Sequence, residues 1–286
     1  MYNLRTMQDI QESPSFDERF PELDWFNHKL VELYQAGKLN AWEDLESQVK
    51  DFFDRSRMDQ MESLVPGWGR MASYTDGITL VHVMCVFLGM YMLPEFSRLS
   101  EAQQQIMKWV ILLHDVDKFH IRGKRDGMHA FNSGVVTANR LPGLGSPCTE
   151  MYPNLIGSWS EYTTLAFIPG EGDASPTPDN RKLPGILQGI GELFGRGTPA
   201  ALIVKTVLLH ISLHVDDQYP TPAPLTMEEA QRYININLFP LLRVMMLSDN
   251  EGWSMFDPET RARQRRDTLA AFEEVGKLIS WSRTSE

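Results

Sequence analysis

The sequence predicts an all-α fold, and two observations lead to that prediction. First, helix-start signals recur along the chain ahead of long apolar or amphipathic stretches. These signals are the capping pairs Asn40/Glu43, Ser100/Gln103 and Thr226/Glu229, and the residues Thr198 and Asp257, each of which precedes a proline. Second, no segment shows a convincing alternation of apolar and polar residues over the length of a β-strand. We therefore expect a helical bundle.

The first part of the chain predicts an N-terminal helical extension, followed by a buried helix. Residues 1–73 carry no candidate site residue and are expected to pack as an N-terminal helical extension. The apolar run from Ile78 to Leu93 is too short for a comfortable membrane span and holds His82 in its middle. This run therefore predicts a buried helix, the first of a core that extends over residues 74–253.

The remaining helices are expected after the capping residues Ser100, Thr198 and Thr226. Pro240 should kink the helix that begins at Thr226, or split it in two, because proline removes a helical hydrogen bond. Residues 254–286 should form the last helix. Residues 1–286 are thus predicted to form a single all-α domain.

One stretch, from about 142 to 197, differs in composition from the rest. It is rich in glycine, proline and serine, as in "IPGEGDASPTPDNRKLPG". Long loops inside a compact domain are usually functional lids or disordered segments. The sequence leaves both interpretations open, a loose surface insertion and a lid over a substrate. Its aromatic residues Trp159, Tyr162 and Phe167 are expected to serve in packing rather than in lining a pocket.

Composition and charge restrict the class of partner. The chain of 286 residues has a formal net charge of -11, which argues against a nucleic-acid polymer, since phosphate neutralisation needs a basic face. A small anionic substrate is compatible with this net charge, because a metal or a basic pocket overrides net charge locally.

The two cysteines and a start without the apolar core of a signal peptide predict a cytoplasmic protein without a membrane segment. The oligomeric state is left open.

Histidines and aspartates provide the main functional signal. A single histidine on an apolar helix is more often a hydrogen-bonded core residue than a ligand. Here, however, a whole set lies in or beside apolar helices, and all its members would need buried partners. The set is His82, His114, Asp115, His129, His210, His214 and Asp249. A metal centre satisfies them together, and imidazole with carboxylate suits iron, zinc, manganese or nickel rather than calcium.

The spacing adds detail to this hypothesis. His114 and Asp115 are neighbours, so their side chains diverge by about 100° on a regular helix. They can reach one metal only where the helix ends or distorts, unless Asp115 bridges two metals. His210 and His214 are four residues apart and would share a helix face, either as a chelating pair or as one ligand and one substrate contact.

This ordered pattern resembles the HD-domain superfamily of helical proteins, named for a His-Asp doublet. His82, the doublet His114–Asp115 with Lys118 three residues after it, and Asp249 follow that family's order. The segment "RGKRDGMHAFNSGVVTANRL" resembles the following helix, in which His129 takes the family's histidine position. The resemblance extends roughly from Thr75 to Trp253. The long insertion and Asp117, where the family often has glycine, depart from its pattern.

The resemblance implies a two-metal site. One metal would be held by His82, His114, Asp115 and Asp249. Asp115 would bridge to a second metal on His129 and His210, with His214 as an alternative or additional ligand. Iron is the first expectation for the pair, with manganese, nickel or zinc as alternatives.

The same resemblance implies two chemistries. Most members are metal-dependent phosphohydrolases, and this is the first expectation, with a nucleotide or another small phosphoester as substrate. In that reaction Asp115 is catalytic, Lys118 neutralises phosphate charge, and His214, if not a ligand, protonates the leaving oxygen. Arg122, Lys124 and Arg125 would hold the anion, although a solvated basic loop is the commoner role for such a cluster. The alternative is a mixed-valent di-iron oxygenase that cleaves a C–H, C–C or C–P bond, and a non-catalytic regulatory module is a third.

Overall fold

The computed structural model describes residues 15–73, 78–119, 126–172, 174–218 and 220–282 of the chain. It is mostly helical, as the sequence predicts. The helices are α1 (Phe16–Arg19), α2 (Pro21–Gln35), α3 (Trp42–Phe52), α4 (Arg55–Leu64), α5 (Trp68–Ser73), α6 (Ile78–Met92), α7 (Pro94–Ser97), α8 (Glu101–Leu113), α9 (His129–Arg140), α10 (Tyr152–Thr164), α11 (Leu183–Phe194), α12 (Pro199–Leu209), α13 (Met227–Tyr233), α14 (Phe239–Ser254) and α15 (Pro258–Ser282). Among these described helices, none is both long and apolar enough to cross a membrane.

Helix α6 lies at the centre of the fold. It is apolar on every side, with Val83, Met84 and Phe87 among its fully buried residues, and a helix of this kind has to be covered all round. Helices α2, α3 and α5 of the N-terminal part cover it on one side, and α8 and α14 pack on the others. The histidine in its middle, His82, is therefore enclosed with it.

Several helix starts match the signals in the sequence. The hydroxyls of Ser100, Thr198 and Thr226 each accept a hydrogen bond from the backbone N–H three residues later. Pro240 does split its segment, since α13 ends at Tyr233 and α14 begins at Phe239. Local capping interactions fix these boundaries, which explains why they could be predicted.

The capping partner that we predicted for Asn40 is wrong. The first residue of α3 is Trp42, and the carboxylate of Asp44 accepts from the backbone N–H groups of Asn40 and Ala41, at 2.9 and 3.2 Å. Glu43 takes no part in this cap. The cap therefore forms one residue further along the chain than the pattern indicates.

The stretch from 142 to 197 is more regular than its composition indicates. It contains α10 and α11, which pack on each other, on α9 and on α12. A short antiparallel pair, β1 (Phe167–Ile168) and β2 (Thr177–Pro178), lies between them. Trp159 is buried and donates from Nε1 to the carbonyl of Ile186 at 3.0 Å, which supports the packing role expected for it.

Helix packing accounts for two glycines of this stretch. A Cβ atom on Gly189 would lie 2.3 Å from Cδ1 of Trp159, so the glycine lets α11 approach the indole closely. Gly185 likewise lies against Tyr162, where a Cβ atom would be 3.1 Å from the hydroxyl. These glycines belong to a helix-helix contact, and the expectation of one long irregular loop is wrong.

Candidate metal centre

Six predicted ligands meet inside the bundle. They come from α6, from the end of α8, from the start of α9, from the residue after α12 and from α14. The structure arranges them in two clusters. The first cluster is His82, His114 and Asp249; the second cluster is Asp115, His129 and His210.

Glycines at helix crossings bring these ligands together. Where α6 crosses α14, a Cβ atom on Gly89 would lie 2.8 Å from Cβ of Glu251, and one on Gly252 would lie 2.4 Å from Cγ2 of Val86. Where α9 crosses α12, a Cβ atom on Gly134 would lie 3.1 Å from Cβ of Leu208. Side chains at the first crossing would separate His82 from Asp249, and a larger residue at the second would push α9 from α12.

The first cluster is organised around the carboxylate of Asp249. Its Oδ1 atom lies 2.9 Å from Nε2 of His82 and 3.8 Å from Nε2 of His114. Both imidazoles are fully buried. Two ring nitrogens and one carboxylate oxygen therefore lie close enough to one another to hold a single ion.

Asp115 connects the two clusters. Its Oδ2 atom lies 3.6 Å from Nε2 of both His82 and His114, and its Oδ1 atom lies 3.6 Å from Nε2 of His129 and 3.8 Å from Nε2 of His210. Each carboxylate oxygen thus faces a different pair of imidazoles. Because α8 ends at Leu113, His114 and Asp115 escape the divergence of a regular helix and point into the same region.

Three imidazoles have their ring orientation fixed by the backbone. Nδ1 of His114 lies 2.8 Å from the carbonyl oxygen of Ile111, Nδ1 of His129 lies 2.7 Å from that of Asp126, and Nδ1 of His210 lies 2.7 Å from that of Val207. A carbonyl can only accept, so Nδ1 carries the proton in each ring. With the proton on Nδ1, a neutral ring presents the Nε2 lone pair to the centre, and this is the form of imidazole that binds metal.

Several inward-facing atoms lack a hydrogen-bond partner within the described part of the chain. They include Nε2 of His114, Nε2 of His210 and Oδ1 of Asp115. Buried polar atoms are normally satisfied, and leaving one unpaired costs on the order of 1–3 kcal/mol. These atoms are all acceptors, and a cation satisfies acceptors. The donor set therefore fits metal ions, as the sequence predicts.

The electrostatics favour the protonation states that bind metal. Burial acts to raise the pKa of Asp115, but the ammonium of Lys118 and the surrounding imidazoles hold it well below its ordinary value. The pKa of Asp249 is also lowered, since its hydrogen bond to His82 and nearby charges outweigh burial. Burial lowers the pKa of His114 to about 4 and that of His129 to about 3. At neutral pH the carboxylates are charged and these two imidazoles are neutral.

Lys118 lies beside the centre. Its Nζ atom donates to Oδ2 of Asp115 at 2.7 Å and lies 5.4 Å from the ring centroid of Trp253. Burial acts to lower the pKa of Lys118, but the charges of Asp115 and Asp249 more than offset it and raise the pKa. Its side chain is 16% exposed, whereas that of Asp115 is fully buried, so Lys118 lies between the carboxylate and the surface.

His214 lies outside both clusters, contrary to the shared helix face that we expected with His210. Helix α12 ends at Leu209, and the chain after His210 is not helical, so a separation of four residues no longer places two side chains together. His214 is exposed, and its Nε2 atom lies 2.9 Å from Oδ1 of Asp217. The structure therefore gives no support to His214 as a ligand or as a catalytic acid.

The predicted anion-binding residues Arg122, Lys124 and Arg125 lie outside the described residues. A different cation, Arg70 of α5, forms an ion pair with Asp117 in the turn after the doublet. The sequence offered no spacing that would link Arg70 to this turn. Asp117, which stands where the family often has glycine, is thus paired with a cation from the N-terminal part of the chain.

Two further residues beside the centre were not predicted, Gly252 and Trp253. Both follow Asp249 closely in "SDNEGW", and the ring of Trp253 stacks on that of His82 with 4.0 Å between centroids. Their position on the same helix as a candidate ligand, one turn further along, was the only signal available in the sequence.

No protein-family model, curated protein or solved structure matches this chain. What the centre does must therefore be inferred from its own geometry.

Proposed function

We propose that this protein is an HD-type, metal-dependent phosphohydrolase that acts on a small anionic substrate. The observation that carries the proposal is the position of Asp115, whose two carboxylate oxygens face two separate pairs of imidazoles. A bridging carboxylate of this kind is what a dinuclear centre needs. The order of the ligands along the chain, with the His-Asp doublet at a helix end, supports the same family.

The residues divide between two ions. His82, His114 and Asp249 with Oδ2 of Asp115 would hold the first, and His129 and His210 with Oδ1 of Asp115 would hold the second. Four imidazoles and two carboxylates suit first-row transition metals, and we propose iron first, with manganese, nickel or zinc as alternatives. When bound, such ions supply Lewis acidity toward phosphoryl oxygens and lower the pKa of a water molecule.

The side chains around the centre define its chemistry. Asp115 keeps its negative charge because Lys118 and the imidazoles stabilise it, so it can hold two cations without taking up a proton. Lys118 donates to Asp115 and is partly exposed, and we assign its ammonium to the phosphate oxygens. The burial of the imidazoles keeps bulk water away from the ligands and favours the neutral rings.

The first experiment measures metal content and phosphate release on the same preparations. Protein purified without added metal is analysed by mass spectrometry for metals and assayed on p-nitrophenyl phosphate and nucleoside monophosphates. We expect two metal ions per chain and phosphate release that a chelator abolishes. Protein that binds no metal, or that binds two ions and releases phosphate from none of these substrates, would contradict the proposal.

A variant of Lys118 separates catalysis from metal binding. Lys118→Met removes the charge and keeps a chain of similar length, so turnover should fall by about 100-fold while both metals are retained. Lys205→Met serves as the matched control, because Lys205 is a partly buried lysine of α12 and belongs to neither cluster. Equal turnover in the two variants would exclude a role for Lys118 at the phosphate.

A second function, a di-iron oxygenase, draws on the same ligand set. Imidazole-rich sites accommodate iron in two oxidation states, and the enclosed centre has the low solvent access that oxygen chemistry requires. In this alternative Lys118 binds a polar substrate whose C–H, C–C or C–P bond is cleaved. A coupled mixed-valent signal in electron paramagnetic resonance, with oxygen consumption and no phosphate release from phosphoesters, would favour it over the hydrolase. A purely regulatory module would have no need for six converging ligands.

A further inference from the structure

We propose that Trp253 is a positioning residue for the metal ligand His82, and that Trp42 of the N-terminal helix α3 supports it. The inference rests on the proposed metal centre, and it assigns a role to two residues outside the ligand set. It also connects the N-terminal part of the chain, which we expected to carry no site residue, to the first cluster.

His82 lacks the anchor that the other imidazoles have. Its Nε2 atom faces Asp249, while its Nδ1 atom is buried and has no hydrogen-bond partner among the described residues. In the other three rings, Nδ1 is held by a backbone carbonyl three residues earlier. A ring with one bond to another metal ligand and none to the backbone needs a different constraint on its orientation.

Trp253 supplies a flat surface in that position. Its ring stacks on the imidazole of His82 with 4.0 Å between centroids and 17° between planes. Offset stacking of aromatic rings contributes beyond the burial of area alone, and it fixes the plane of the smaller ring. The stacking therefore restricts rotation of His82 about its side chain, which is the motion that would carry Nε2 away from the cluster.

The backbone before Trp253 restricts the same ring. A Cβ atom at Gly252 would lie 3.0 Å from Cε1 and 3.1 Å from Nδ1 of His82, so the imidazole lies directly against this glycine. Gly252 and Trp253 together leave His82 little freedom, although neither donates a hydrogen bond to it. Packing thus replaces the carbonyl anchor at this ligand.

Trp253 is itself partly exposed and needs support. The side chain is 45% exposed, so the core alone does not hold it. The ring of Trp42 lies parallel to it, with 6.1 Å between centroids and 3° between planes. Since Trp42 is the first residue of α3, the N-terminal helices limit the movement of Trp253 and, through it, of His82.

Lys118 adds a second link to the same ring. Its Nζ atom lies 5.4 Å from the centroid of Trp253, within the range of a cation–π interaction. One indole therefore contacts both a metal ligand and the cation assigned to the substrate. A surface tryptophan without a role would not be expected to have both contacts.

The experiment measures Co²⁺ binding to metal-stripped protein by visible absorption. To isolate the first cluster, it uses a His129→Gln background, in which the second cluster has lost a ligand. Within that background, the variants are Trp253→Leu, which keeps bulk but removes the ring, Trp253→Phe, which keeps a ring, and Trp42→Leu. Trp25→Leu is the matched control, because Trp25 is 59% exposed and its contact is with Lys29, away from the centre.

We expect Trp253→Leu to weaken Co²⁺ binding by about 10- to 100-fold, the range seen when a residue that orients a metal ligand is lost. Trp253→Phe should restore binding to within about threefold, and Trp42→Leu should give a smaller loss than Trp253→Leu. The Trp25→Leu control should bind as the background does. The thermal midpoints of the metal-free variants should be similar, which separates positioning from general stability.

Two results would overturn the inference: equal Co²⁺ affinity in Trp253→Leu and Trp25→Leu, or a loss in Trp253→Leu that Trp253→Phe does not reverse. The outcome is distinct from that of the proposed function. A Trp253-dependent affinity in a protein that releases no phosphate would support the positioning role and contradict the hydrolase. Phosphate release with a Trp253-independent affinity would do the reverse.

Discussion

The histidines of the candidate centre are held in two different ways. His114 and His210 follow the last residues of α8 and α12, and His129 begins α9, so all three lie at helix ends. Each donates Nδ1–H to a nearby backbone carbonyl. His82 lies in the middle of α6, and its ring has no such bond within the described structure.

The difference follows from the hydrogen bonding of helices. Inside a helix, each carbonyl already accepts from the N–H four residues later, whereas the last four carbonyls have no helical partner. Ile111 and Val207 lie within the last turn of their helices, so their oxygens can accept from an imidazole. Helix ends therefore provide ready anchors for metal-binding histidines, and a mid-helix ligand such as His82 has to be oriented by side-chain packing.

The largest effect should come from Asp115→Asn, because Asp115 faces both His82 and the three imidazoles that are held by backbone carbonyls. The amide cannot offer two anionic oxygens, so both clusters lose their shared ligand and phosphate release should fall by more than about 1,000-fold. Metal analysis and phosphatase assays on the purified variant check this. Asp217→Asn is the control, since that carboxylate is exposed and pairs only with His214 in the described structure. Full metal content in Asp115→Asn would rule out the bridge.

The next effect compares a ligand that a backbone carbonyl holds, His210, with the ligand that has no such bond in the described structure, His82. His210→Gln should lose the second ion and keep the first, while His82→Gln should lose the first and keep the second. Each variant is therefore expected to hold one ion per chain instead of two. Metal stoichiometry after dialysis decides the matter. A variant that loses both ions or neither would show that the two clusters do not act as separate sites.

Acid should destabilise the metal-free protein through two of the anchored rings. The pKa of His114 is about 4 and that of His129 about 3 in the folded chain, against 6.5 for an ordinary histidine. The unfolded state therefore binds more protons below that ordinary value, and the stability present at pH 7 is lost as the pH falls. At about pH 5 the loss should be roughly 2 kcal/mol for each ring.

Urea unfolding in the presence of a chelator, at pH 7 and at pH 5, measures this loss. His114→Gln should show a smaller difference between the two pH values than the parent protein, because one of the two titrating rings is gone. A difference that is unchanged in this variant would mean that His114 is protonated in the folded state as readily as in the unfolded state.

The smallest effect is expected for His214→Ala. His214 lies four residues after the anchored ligand His210 but outside both clusters, and its ring is exposed. Metal content and phosphate release should stay within about twofold of the parent, as for other surface substitutions. A loss of one metal ion would show that His214 does reach the centre, and the distinction between helix-end and loop histidines would have to be revised.

Much of the fold was predictable wherever the signal is local. Ser100 and Thr226 cap their helices through hydrogen bonds to residues three positions later, which a sequence displays directly. The apolar run of α6 predicts its own burial. By contrast, the glycine-rich composition around Gly189 predicts a loop, because nothing near this residue in sequence shows that it lies against Trp159.

The candidate site was predictable in part for the same reason. Asp115 and the imidazoles that surround it were identified from residue type and order along the chain. His214 was included on the assumption that α12 continues past His210, although the helix ends at Leu209. Trp253 was missed, since stacking on His82 joins positions 171 residues apart.

The sequence by itself determined the helical class, the capped helix starts at Ser100, Thr198 and Thr226, and the set of imidazoles and carboxylates available for a metal, because these depend on residue type and on interactions within about one helical turn. Only the tertiary structure decided which ligands share a cluster, that Asp115 faces both clusters, and that Trp253 stacks on His82 and has Trp42 parallel to it. Those relations depend on how α6, α8, α9, α12 and α14 cross, and the crossings are set by close contacts at Gly89, Gly134 and Gly252 with residues far away in sequence.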